Sequence, residues 1–88
     1  MVLLISYDLN NTLHNYSPLF EEIKKAGTWW HHINSTWLIE TDLTPQQWYE
    51  RLAPHLYKTD HVIVVRVYRN YFGWLPKQAW EWLAARNF

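Results

Sequence analysis

Asp8 is the only acidic side chain before Glu21, and it closes an apolar run, Val2-Leu3-Leu4-Ile5-Ser6-Tyr7. A carboxylate at a strand end is the kind of ligand a hard cation such as Mg²⁺ takes. One carboxylate per chain is too few for a hydrolytic metal site. Two copies of Asp8 facing each other across a dimer axis can share one ion and orient a water at a phosphodiester. The plainer reading is an Asp that ends its strand by bonding to nearby backbone N–H groups. Asn10, Asn11 and His14 follow in the next loop. Their amides and imidazole suit a phosphate or a bound water, and they equally suit an ordinary turn. His14 becomes a general-base candidate only where the fold sets it beside Asp8.

Ser35 and Thr36 open a later strand and place hydroxyls at its start, as a turn also does. His31 and His32 adjoin on a strand, so their side chains point to opposite faces and cannot share a metal. His55 and His61 show no ligand-like spacing. Arg66 and Arg69, three apart on the last strand and so on opposite faces, are candidate phosphate contacts, as are Lys24 and Lys25. Solvated faces and surface ion pairs account for such residues equally well. Tyr71, Phe72 and Trp74 carry rings that suit base stacking when exposed. Gly73 and Pro76 are expected to turn them inward instead, toward the core or a dimer contact, with Val65 beside them.

The elements that must position these residues are legible in the pattern. Residues 2–7 are apolar on both faces, as in a central strand. Ser17-Pro18 reads as a capped helix start, with Tyr16, Leu19, Phe20 and Ile23 at helical spacing and Gly27 as its stop. Two strands, about 29–33 and 36–41, flank a turn at Asn34-Ser35. Thr44-Pro45-Gln46-Gln47 is a capping box, with Leu43 and Trp48 in staple positions. Trp48, Leu52 and Leu56 are expected to face the core, and Pro54 to bend or end the helix. His61 to Arg69 is a further strand. Pro76 opens a last helix, with Trp80, Leu83 and Ala84 on one face and Trp82 pointing elsewhere.

The order β-α-β-β-α-β-α, built from two right-handed β-α-β units around a hairpin, predicts an α+β fold. It is a ferredoxin-like sandwich with an antiparallel sheet of order 4-1-3-2 and an extra C-terminal helix. The fourth strand is then an apolar edge, which invites pairing by the C-terminal segment or by a second subunit.

Eighty-eight residues make a single domain, 1–88. Seven Trp, six Tyr and three Phe are more aromatic surface than so small a core can hide, which predicts a partner interface. Eight basic and eight acidic residues balance to zero, which argues against a protein whose main work is coating nucleic acid. Without cysteine there is no disulfide, thiolate site or thiol nucleophile. The apolar start is too short for a membrane span and lacks a basic leader, so a cytoplasmic location is expected.

Leu3-Leu-Ile-Ser-Tyr-Asp8, followed by a polar loop and a helix, resembles the opening of the CRISPR-associated adaptation proteins that partner the spacer integrase. Gly27 to Glu40, Gly-Thr-Trp-Trp-His-His-Ile-Asn-Ser-Thr-Trp-Leu-Ile-Glu, resembles that superfamily's helix-end glycine, second strand and Ser or Thr opening the third. Gly73-Trp74-Leu75-Pro76 is similar to a segment of its compact SinR-like branch, and VapD-type toxins are more distant relatives. The resemblance implies a ferredoxin-like homodimer in antiviral defence. It implies either a magnesium-dependent nuclease acting on RNA or DNA, with Asp8 as the essential carboxylate, or a non-catalytic scaffold that holds duplex DNA. Ser35 would then lie near the shared Asp8. A purely protein-binding homodimer, of phage, regulatory or toxin–antitoxin kind, is the third reading, and the balanced charge suits it.

Overall fold

The computed structural model describes all residues, 1–88. In chain order it places β1 (Val2–Asp8), α1 (Ser17–Lys24), β2 (Thr28–Ile33), β3 (Thr36–Glu40), α2 (Pro45–Leu52), β4 (His61–Val67) and α3 (Lys77–Ala84). A single 3₁₀ turn, Ala53–His55, continues α2. The four strands form one antiparallel sheet in the order β2-β3-β1-β4.

β1 lies between β3 and β4, and its two-sided apolar pattern is filled on both faces. On one face Leu3 and Ile5 pack with Trp37 and Ile39 of β3 beneath Leu19 and Ile23 of α1 and Trp48 and Leu52 of α2. Burying each such side chain contributes roughly 1.5–3 kcal/mol, so this layer holds the sandwich together. On the opposite face Val2, Trp30 and Leu38 are covered by Ala79 and Leu83 of α3.

The helix ends follow local chemistry, with one correction. Thr44 Oγ1 accepts from the Gln47 N–H at 3.2 Å and Gln47 Oε1 accepts from the Thr44 N–H at 2.9 Å, so the capping box is complete. The α-helix stops at Leu52, just before Pro54. Ser17, however, does not cap α1: it is already helical, and Tyr16 occupies the cap position without a side-chain bond. Asn15 takes over, accepting the Ser17 N–H through Oδ1 at 3.0 Å. Gly27 sits at φ +83°, the left-handed backbone that lets the chain leave α1 and enter β2.

Trp82 also departs from expectation. It packs into the second cluster together with Trp80, while Ala84 is exposed. The contact line of α3 runs through Ala79 and Leu83. At about 100° per residue, Trp80 and Trp82 flank that line and Ala84 falls outside it.

α3 covers only part of its sheet face. Toward the far end of β1 and β4 the same face shows Ile63 at 59% exposure and Val65 at 39%, and Ile33 of β2 is also exposed. β4 is an edge strand. The C-terminal segment reaches it through the Arg66 side chain, which donates to the Phe88 carbonyl at 2.9 Å. No helix is long and apolar enough to cross a membrane.

Candidate functional site

Side chains alternate along β1, so Val2, Leu4, Ser6 and Asp8 project from the face that α3 half covers. Asp8 is exposed at the end of this row, opposite His61 of β4. One step back, the Ser6 hydroxyl lies 3.5 Å from that of Thr36. The carboxylate is oriented from its own loop: Asn10 Nδ2 donates to Asp8 Oδ2 at 3.2 Å. The same amide donates to the Thr59 carbonyl at 2.7 Å, which ties the β1–α1 loop to the α2–β4 loop.

Asp60 is the hub of that tie. Its Oδ1 accepts from the Asn10 N–H at 2.8 Å, and its Oδ2 accepts from the Tyr57 N–H at 2.8 Å. The Tyr16 hydroxyl donates to both oxygens, at 2.7 and 2.8 Å. Burial by itself would raise the Asp60 pKa. The donated bonds from Asn10, Tyr57 and Tyr16, with the nearby His14, outweigh it and hold the carboxyl below its ordinary value. Tyr16 moves the other way, raised by desolvation and by its bond to Asp60. Tyr57 is its one local partner, three positions back, and suits an ordinary turn; Asn10 and Tyr16, which make Asp60 a link between loops, lie more than forty positions away in the chain. Asp60 precedes β4 and reads there as a turn residue.

The other loop candidates serve this latch. The Asn11 N–H donates to the Tyr16 hydroxyl at 3.1 Å, and Asn11 Oδ1 accepts the Leu13 N–H at 3.2 Å. His14 Nδ1 shares a 2.8 Å bond with the Tyr57 hydroxyl, and the imidazole meets the Tyr16 and Tyr57 rings edge-on at 4.9 and 4.4 Å. His14 therefore sits in the Asp60 group.

Ser35 adopts φ 61°, and its carbonyl accepts the Tyr7 N–H at 3.0 Å. The β2–β3 turn is thus sewn to β1 one residue from Asp8. His31 and His32 part company as their adjacency requires. His31 stacks flat on Trp37 at 3.9 Å and bonds the Thr36 carbonyl, while His32 lies against Trp30.

Arg66 and Arg69 belong elsewhere. Arg66 pairs with Leu3 in the sheet register, five residues up β1 from Asp8, a separation of about 17 Å along the strand. Arg69 lies beyond β4, which ends at Val67, so the two arginines do not share a strand. Arg69 donates to the Arg86 carbonyl at 2.8 Å. Of the lysines, Lys24 pairs with Glu21 and Lys25 with Glu22.

Of the candidate dimer residues, Val65 is on the bare part of the sheet face. Tyr71 is packed against Trp80 and Phe88. Phe72 and Trp74 are not turned inward: they are 105% and 99% exposed. Tyr71 and Leu75 take the inward positions of the connector, and the rings between them face water.

No three His, Asp or Glu side chains converge anywhere in the chain. Asp8 supplies one carboxylate per chain. The chain matches no protein-family model, no curated protein and no solved structure.

Proposed function

We propose that the chain is a cytoplasmic, nucleic-acid-associated homodimer of ferredoxin-like architecture, akin to the CRISPR adaptation proteins and their SinR-like branch. Two copies close over the bare part of the sheet face and bring their Asp8 carboxylates together. The observation that carries this reading is the placement of Asp8. It stands at the end of the Leu4-Ser6-Asp8 row, on the one stretch of sheet that α3 leaves open, beside the exposed Ile63 and Val65. An edge strand with apolar side chains directed to solvent favours pairing with another chain.

Within each copy Asn10 orients the Asp8 carboxylate, and the Asp60 latch holds Asn10. The Ser6 hydroxyl, one step back in the same row, and that of Thr36 beside it on β3 can donate to a phosphate oxygen. A magnesium ion held between two Asp8 carboxylates would supply a water for attack on a phosphodiester. The test is cleavage of RNA and DNA oligonucleotides with Mg²⁺. Asp8→Ala should abolish cleavage while the dimer mass is kept, and cleavage undiminished by the substitution contradicts the proposal.

The balanced charge favours a second reading, a scaffold or protein-binding homodimer without turnover. Its signature is binding of a partner, nucleic acid or protein, with no products formed by the intact chain.

A further inference from the structure

We infer that the connector between β4 and α3 is a docking site for single-stranded nucleic acid, with bases on Phe72 and Trp74 and phosphates on Arg66 and Arg69. This rests on the nucleic-acid reading above, but it uses residues remote from Asp8.

The rings are exposed for no packing reason. Trp30, Trp37 and Trp48 are buried in the same small domain, whereas Phe72 and Trp74 touch almost nothing and Tyr68 is 60% exposed. The connector beneath them is nonetheless anchored. Tyr71 stacks on Trp80 and Phe88, and Leu75 joins the second core cluster. Two rings are thus held outward by a fixed backbone. They are two residues apart, so at most about 7 Å separates their attachment points along the chain. That is close to twice the 3.4 Å rise of a nucleic-acid strand, enough to receive one base between them.

The zero net charge conceals a local excess of the right sign. From His61 through Trp80 there is no Asp or Glu, while Arg66, Arg69 and Lys77 lie in that stretch. Lys77 is paired with Glu81, at 3.7 Å. Neither arginine pairs with an Asp or Glu side chain: each spends one Nη on a main-chain oxygen, of Phe88 and of Arg86. Each guanidinium is also steadied over a ring, Arg66 over Tyr68 at 4.8 Å and Arg69 over Phe88 at 4.3 Å. The remaining N–H groups are free for phosphate oxygens. A duplex hides its base faces in the stack, whereas a single strand offers them to aromatic side chains, so the exposed rings select the single strand.

The experiment measures fluorescence anisotropy of short labelled RNA and DNA strands, and of a hairpin duplex, with the intact protein and with a Phe72→Ala/Trp74→Ala variant. Both rings are solvent-exposed, so the variant keeps its fold. Single strands should bind more tightly than the duplex, and the variant should lose roughly 5- to 150-fold in affinity for each stacked base. Arg66→Ala/Arg69→Ala should reduce the slope of log affinity against log salt by about 1.4. Strand binding that survives loss of both rings overturns this inference alone, as does a preference for duplex. So does dissociation of the dimer in the ring variant, which assigns the rings to the subunit interface. Binding to phosphatidylserine vesicles in place of oligonucleotides assigns them to a membrane surface and likewise overturns it. Absence of any oligonucleotide binding at low salt overturns both this inference and the nucleic-acid reading beneath it.

Discussion

Replacing Asp60 with alanine removes one carboxylate and strands three donors, the Asn10 N–H, the Tyr57 N–H and the Tyr16 O–H. A hydrogen bond to a charged group contributes roughly 1.5–3 kcal/mol where water is excluded. Asp60 is only half-buried, so solvent competes for its donors, and about 2–3 kcal/mol in total is the expected loss. For a domain of this size each kcal/mol corresponds to about 4–8 °C, so the melting temperature should fall by roughly 10–20 °C at neutral pH. The pH dependence separates this cause from a generic packing defect. Asp60 is held below its ordinary pKa, so its contribution is complete above the unfolded-state value and is lost as pH falls through the folded one. The gap between the wild-type protein and Asp60→Ala should be constant above about pH 5 and should narrow below about pH 4. Thermal melts by circular dichroism between pH 2.5 and 7 read both quantities. Amide exchange at Asn10 and Tyr57 should quicken in the variant. A gap of the same size at pH 3 and pH 7, or a shift under about 2 °C, refutes the assignment of Asp60 as the latch between the two loops.

Ser35→Gly should raise the melting temperature by a few degrees, because Ser35 sits at φ 61° and glycine removes strain of about 1 kcal/mol while keeping the carbonyl that bonds Tyr7. If the Ser35 hydroxyl serves the site, the same variant should be more stable yet slower in cleavage, a combination that a turn residue alone does not produce. Ile63→Lys places a charge on the exposed part of the sheet face, and it should leave the melting of the isolated subunit within about 0.5 kcal/mol while shifting the protein toward monomer in light scattering. A dimer of unchanged affinity in that variant excludes this face from the interface.

The features readable from the chain are those whose cause is local. The Thr44–Gln47 box, the stop at Pro54, the left-handed Gly27 and the apolar run of β1 each follow from neighbouring residues. The failures share the opposite property. Ser17 looked like a cap because it precedes Pro18, yet Asn15 is better placed to take its N–H. The turn formers Gly73 and Pro76 argue for Phe72 and Trp74 tucked toward the core or a dimer contact, and within the chain neither ring packs on the core. Which ring turns inward was decided by Trp80 and Phe88, which pack on Tyr71 from elsewhere in the chain. Arg69 reads as part of β4, but strand pairing ends with Val67 opposite Val2. The site divides in the same way. Asp8 at a strand end is legible in the sequence, whereas Asn10 and Tyr16 meet Asp60 only when the β1–α1 loop and the β4 entry are folded side by side.

The direct test of the Asp8 pairing uses the absence of native cysteine. With Asp8→Cys as the sole thiol, a short bis-maleimide should convert the protein at micromolar concentration into a covalently linked dimer, because two carboxylates that share one ion at about 2.1 Å bring their side-chain ends within reach of such a linker. A chain that stays monomeric, or a dimer whose introduced thiols remain unlinked, contradicts the meeting of two Asp8 carboxylates.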